Sequence, residues 1–296
     1  MHANQATRVL VLDDTVEWPY RNDRPILVLP YYGEFGHFVN SFIRQVHYLH
    51  APAKIVCCRP GEEVYFPSAT GFHYDWSDPF DPEQKVGYRD RWPPTTTFPL
   101  TTEEIALIDR LGRQFGEYQI TLLTQLLTPT QVVAMPVPII ARSAALPRFD
   151  IVVSCRRRCW DAYRNFDRWP EVLAPLSAEG FTIAVVGEAG SSYDFDFVHF
   201  RSWMHSPHAE AVVHALSSAR LYIGTDTGPT HLAALLSPAL LLFRNEACPY
   251  QNYIKGVVSL VAASRFVPFR YLSSGWENPK EVSEAALRFL VHNLFA

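Results

Sequence analysis

The chain has 296 residues, 48% of them apolar and 19% charged, with a formal net charge of −4. That composition excludes a disordered chain and leaves room for two ordinary globular domains. With no basic tract and no zinc-finger spacing, it also argues against a nucleic-acid partner.

Residues 8–12 and 26–30 read as strands, and residues 33–37 as a turn. Phe38, Val39, Phe42, Ile43, Val46 and Leu49 then form a helical apolar stripe. Residues 54–58 are a third strand, and strand–helix–strand order signals a parallel sheet with crossover helices. Residues 68–99 are rich in aromatics, Pro and Asp with little periodicity, which suits a functional surface or a lid. Thr102, followed by Glu103 and Glu104, starts a helix through Leu111 that continues, past a break near Gly116, toward Leu127. Residues 135–147 carry three prolines and read as a linker. The predicted domains are residues 1–145 and 146–296, with the closing helix able to pack back on the first domain.

The second half alternates more plainly. Residues 149–153 and 181–186 are predicted strands around a helix at 168–179, which Gly180 ends. A helix follows at 209–218, strands at 239–243 and 257–261, and a helix at 279–294. The expected fold class is α/β, with two Rossmann-like domains whose parallel sheets face each other across a cleft. The apolar run 232–243 is broken by Ser237 and Pro238, and MHANQATRVLVLDDTVEW has no basic start before a long apolar core. Neither a membrane span nor a signal peptide is expected. Five cysteines without a framework suit a reducing compartment, so a cytoplasmic location is expected. Cys155 and Cys159 have no second Cys/His pair at zinc spacing.

The segment LYIGTDTGPTHLAALL, residues 221–236, reads as strand, turn and amphipathic helix. Gly228 permits a tight turn and Pro229 fits a first helical turn. A helix N-terminus at a strand's carboxyl end suits a phosphate, with Thr230 and His231 adding polar groups in the first turn. An ordinary capped helix, with Asp226 as the cap, has the same pattern. Two other loops are expected at the same sheet end. One is SCRRR, whose Arg156, Arg157 and Arg158 can grip phosphate oxygens or form a solvated basic loop. The other is GEAGSS, whose Glu188 can take ribose hydroxyls or sit exposed. In the first domain, Gly33-Glu34-Phe35-Gly36-His37 places a carboxylate before a helix, as a general base or as a dipole-stabilised helix start.

Together these segments resemble glycosyltransferase family 9, the ADP-heptose:lipopolysaccharide heptosyltransferase group. Asp226 to Ala234 is similar to the family's D-T-G-x-x-H-L-x-A-A segment, and Gly33 to His37 to its G-D-x-x-H segment. The resemblance implies a GT-B fold and a metal-independent inverting glycosyltransferase without a cofactor, moving a hexosyl or heptosyl group from a nucleotide sugar to a glycan or other hydroxyl acceptor. Glu34 is then the base, with Gly33 and His37 on the acceptor side. The amides of Gly228 to His231, the Thr227 and Thr230 hydroxyls, Arg157, Arg158 and Arg164 meet the diphosphate. Glu188 and Asp226 serve the nucleoside and sugar, Asp226 as a capping or sugar-hydroxyl group that organises the turn. The family's K-x-W-P segment is echoed by Asp167-Arg168-Trp169-Pro170. Asp167 in the lysine's place moves that role to Arg164, Arg168 or the Arg156–Arg158 cluster. Asp194-Phe195-Asp196 spells D-x-D but reads as structural. A sugar-nucleotide epimerase of similar fold and a non-catalytic nucleotide-binding partner protein are the alternatives.

Overall fold

The computed structural model describes residues 9–12, 15–31, 34–76, 102–124, 126–139, 147–159, 161–188, 190–203 and 209–295. Residue 33, residues 77–101 and residues 140–146 lie outside these, and with them Gly33, most of the expected lid and half of the expected linker.

One sheet contains β1 (Leu10–Leu12), β2 (Ile26–Val28), β3 (Lys54–Cys57), β4 (Gly71–His73) and β5 (Gln119–Leu123), in the spatial order β1-β5-β2-β3-β4. The other contains β6 (Ile151–Val153), β7 (Ile183–Gly187), β8 (Phe200–Trp203), β9 (Leu221–Gly224), β10 (Leu240–Phe243) and β11 (Phe269–Leu272), in the order β8-β7-β6-β9-β10-β11. All pairings within both sheets are parallel. The second order reverses between β6 and β9. Such a switch point leaves a crevice beyond the carboxyl ends of the strands, where ligands of doubly wound sheets bind.

The strands of the second sheet are apolar on both faces because helices cover both. Ile151, Val153 and Ile223 meet Trp169 and Leu173 of α4 (Trp169–Ala178) and Phe289 of α8 (Pro279–His292). Val152 and Tyr222 face the opposite way, toward Val212 and Leu216 of α5 (Ala209–Ser218) and Leu232 of α6 (Gly228–Leu236). Gly180, at φ +87°, ends α4 as its position predicts.

Several elements differ from expectation. Helix α2 (Thr102–Gln114) stops before Gly116, and the segment expected to extend it is β5, paired between β1 and β2. QITLL is a short apolar run, whose periodicity does not separate a strand from a buried helix turn. The same ambiguity reversed residues 257–261: they lie in α7, a π turn over Ile254–Val258 continued as α-helix over Ser259–Ser264. Strands β4, β8 and β11, at sheet edges, carried too little pattern to be read. Helix α3 (Pro129–Ala134) opens with a Thr128–Gln131 capping box just ahead of the expected linker.

Helix α1 joins the halves. It begins at Phe35–His37, passes through a π turn over Phe38–Phe42 and continues as α-helix over Ile43–Tyr48. Its N-terminus abuts that of α6. A Cβ on Gly228 would lie 3.1 Å from the Gly36 nitrogen and 3.1 Å from Phe35 Cβ, and one on Gly36 would lie 3.2 Å from His231 Cδ2. Two backbones approach here with no side chain between them. Gly228→Ala is therefore expected to destabilise the fold by about 1–3 kcal/mol through overpacking, more than the helix propensity it gains. Gly256→Ala in α7, whose added Cβ meets only Gln251 Nε2 at 3.8 Å, is expected to be neutral or stabilising by up to about 1 kcal/mol. Urea denaturation of the two variants checks the contrast.

Candidate active site

A small cleft, partly open to solvent, lies at the switch point between the two helix starts. Glu34 and Phe35 line it from the first half. Ser154, Arg156, Arg158, Arg164, Glu188, Ser191 and the residues Thr227 to Pro229 line it from the second.

The segment after β6 is extended, so its side chains alternate. Ser154, Arg156 and Arg158 face the cleft, whereas Arg157 is exposed and lies over the Tyr193 ring, 5.5 Å from its centroid. Arg157 thus does not line the cleft; Arg156 does. The period-two rule, applied to SCRRR, carries that signal. Buried Arg156 is held by the Asp161 carbonyl (3.0 Å) and Asn165 Oδ1 (2.7 Å), and burial lowers its pKa to about 10. Arg158 Nη2 donates to Glu188 Oε2 in a tight ion pair. Glu188 therefore lines the cleft as expected, but as a buried partner of Arg158. The Ser191 hydroxyl is buried in the same wall with no hydrogen-bond partner, which costs about 1–3 kcal/mol unless a ligand answers it. Nothing in GEAGSS singled it out beforehand.

At the start of α6, the N-cap is Thr227 rather than Asp226. Its hydroxyl makes no cap bond; it sits 3.3 Å from Ser154 Oγ and 3.2 Å from Thr230 Oγ1. Thr230 faces inward: its hydroxyl donates to the Thr225 carbonyl (2.5 Å) and lies 3.0 Å from Tyr222 Oη. Its amide donates to the Thr227 carbonyl (3.1 Å), and Pro229 has no amide hydrogen. The expected row of donors from Gly228 to His231 thus contracts to the Gly228 amide and the Thr227 hydroxyl at the cleft wall.

His231 also turns away from the cleft. Its ring packs on Gly36, and Asn40 Nδ2 donates to Nδ1 at 2.9 Å, which leaves the ring proton on Nε2. Burial, with the positive charges of His37, Arg164 and Arg44 nearby, lowers its pKa to about 3. It is a neutral joint between the halves. His37 is half-buried and meets the Tyr253 ring edge-on at 6.4 Å rather than lining the cleft. Asp226 lies just behind the cleft wall. Its carboxylate is 3.4 Å from Arg244 Nη1, and its carbonyl accepts from Arg164 Nη2 at 2.6 Å. Burial raises its pKa to about 6.

Arg164 reaches across the cleft, with Nη1 3.7 Å from Glu34 Oε1 and 4.0 Å from Asp161 Oδ2. Burial pulls its pKa down, but Glu34, Asp226 and Asp161 outweigh that and hold it above the usual arginine value. Glu34 is the N-cap residue of α1, yet its side chain makes no cap bond. Arg168 pairs with Glu171 on the surface at 2.7 Å, and Asp167 is exposed. The side chain that fills the position facing Glu34 is therefore Arg164. Asp194 pairs with Arg201 on the surface. Among the described residues, no group of three or more His, Cys, Asp or Glu is placed to hold a metal ion. None of their helices is long and apolar enough to cross a membrane.

No family model matches the sequence, and no curated protein does. Solved structures do resemble the fold. A glycosyl transferase family 9 protein from Veillonella parvula matches with a TM-score of 0.51 at 11% identity, over 88% of this chain and 90% of that one. ADP-heptose lps heptosyltransferase II from E. coli matches with a TM-score of 0.49 at 13% identity, over 91% and 99%. The likeness defines the fold: two parallel, Rossmann-like sheets in the GT-B arrangement.

The His231 ring gives a pH signature. The unfolded chain takes up a proton on this histidine below about pH 6.5, while the folded chain does so only near 3. The native state therefore keeps this contribution above pH 6.5 and loses it as pH falls toward 3. Relative to His231→Gln, the wild type is expected to lose about 2–3 kcal/mol between pH 7 and pH 4.5. Asp226, raised to about 6, acts in the opposite direction, with its contribution present at low pH and lost as pH rises through 6. It is common to both proteins, so the difference between their denaturation curves isolates His231.

Proposed function

We propose that the protein is an inverting glycosyltransferase that moves a sugar from a nucleoside-diphosphate donor to an acceptor hydroxyl without a metal ion. One observation carries this reading: a single cleft of a GT-B fold brings the Glu34 carboxylate opposite Arg156, Arg158, Arg164 and the start of α6. In this reading residues 146–296 bind the donor and residues 1–145 present the acceptor, a glycan or another hydroxyl compound.

Each part has a physical task. The Gly228 amide, the Thr227 hydroxyl and the arginines take the diphosphate, as charge-assisted hydrogen bonds at a helix N-terminus do. Glu188, on the β7 side, takes the nucleoside. The acceptor oxygen attacks the anomeric carbon, its proton passes to Glu34, and the bond to the diphosphate breaks. A single displacement inverts the configuration. Charge grows on the leaving group, where each preorganised donor is worth about 3 kcal/mol of barrier.

Two results test this. ADP, GDP, UDP or dTDP is expected to raise the melting temperature, since a ligand at a hundred times its Kd adds about 2.7 kcal/mol. With the matching nucleotide sugar, Glu34→Gln is expected to lower transfer by about 10²- to 10⁴-fold while nucleotide binding persists. If no nucleoside diphosphate shifts the melting temperature, the reading fails. If one binds but Glu34→Gln transfers the sugar as fast as the wild type, Glu34 is not the base.

A further inference from the structure

Arg164 is bound on two sides before any ligand arrives. Its Nη1 lies 3.7 Å from Glu34 Oε1, and its Nη2 donates to the Asp226 carbonyl at 2.6 Å. Glu34 and Arg164 come from opposite halves and line the same cleft, beside Gly228. The Asp226 carbonyl fixes one end of the guanidinium, and Asp226 is itself tied to Arg244 behind it. The other end is the one that an anion at the α6 N-terminus would meet.

We infer that Arg164 is a positioning residue shared between Glu34 and the donor diphosphate, so that the donor, on taking the guanidinium, leaves the carboxylate to face the acceptor hydroxyl. This rests on the reading of the cleft as a nucleotide-sugar site. A diphosphate carries more charge than a carboxylate and offers the bidentate geometry a guanidinium fits. Donor binding thus exchanges one Arg164 partner for another and leaves Glu34 facing the acceptor hydroxyl. The donor binds first.

Arg158 and Glu188 make a second pair of this kind in the same wall. Both members of that pair come from the second half, whereas Arg164 meets Glu34 from the first, so the exchange at Arg164 is the one that involves Glu34.

A double-mutant cycle on nucleotide affinity tests the inference without any turnover. ADP, GDP, UDP and dTDP are titrated calorimetrically into the wild type, Glu34→Gln, Arg164→Met and the double variant. The wild type is expected to bind at least one of them. Glu34→Gln is expected to bind it about fivefold more tightly, because Arg164 then keeps only Asp226 and Asp161 and no longer has to leave the Glu34 carboxylate. Arg164→Met is expected to bind about tenfold more weakly. The decisive corner is the double variant, in which the gain from Glu34→Gln disappears. Plain repulsion between Glu34 and the phosphates would tighten binding equally with or without Arg164, and that result overturns the inference. So does an unchanged affinity in Glu34→Gln. If the wild type binds none of the four nucleotides, the donor-site reading itself fails and takes the inference with it. Circular dichroism confirms that each variant is folded, and Arg164→Gln replaces Arg164→Met in the cycle should the latter not fold.

Discussion

Everything at the cleft depends on two helices meeting end to end through glycine. With Gly36 and Gly228 in place, the starts of α1 and α6 come within backbone contact. Each N-terminus carries roughly half a positive charge, so two of them side by side repel unless anions answer them. The carboxylate of Glu34 supplies part of that answer, and the geometry leaves space for more negative charge at the α6 end. A diphosphate at this point would be met by two dipoles and three guanidinium groups. The glycine contact also sets how far Glu34 stands from the start of α6.

The joint around that contact is polar where a simple interface would be greasy. His231 is buried and bonded to Asn40. Arg44, 1% exposed, donates to the Met135 carbonyl, and burial lowers its pKa to about 10. Buried polar pairs add little net stability, but leaving one partner unmet costs several kcal/mol. Such pairs therefore penalise misalignment more than they reward contact. At this joint the Asn40–His231 pair holds α1 against α6, and Arg44 holds α1 against the end of α3.

Strands β6, β7, β9 and β10 of the second half were legible because they are continuous apolar runs bounded by glycine and polar turns, whereas β8, β11 and α7 were not. Residues 209–218 and the strand–turn–helix from Leu221 onward stand where pattern alone puts them. The central strand β5 was not legible, since QITLL follows a strong helix and has no turn dipeptide before it. At the cleft, residue types were readable but directions were not. SCRRR read as a phosphate grip or a solvated basic loop, yet which arginines face inward follows from the extended backbone after β6, and that places Arg157 outside the cleft. Thr230 and His231 sit in the helix turn that looks like an anion site, but Thr225 and Tyr222 turn the Thr230 hydroxyl inward and the His231 ring packs on Gly36 of α1. Arg164 lies in a short 3₁₀ turn, Ala162–Arg164, whose placement against Glu34 comes from tertiary packing that no local pattern encodes.

The most direct test of this account is a crystal structure of the protein with the nucleoside diphosphate that it binds. The account predicts the β-phosphate against the Gly228 amide and Thr227, with Arg164 within hydrogen-bond distance of it and turned from Glu34. A nucleotide bound elsewhere, or one at the α6 N-terminus with Arg164 still paired to Glu34, would contradict it.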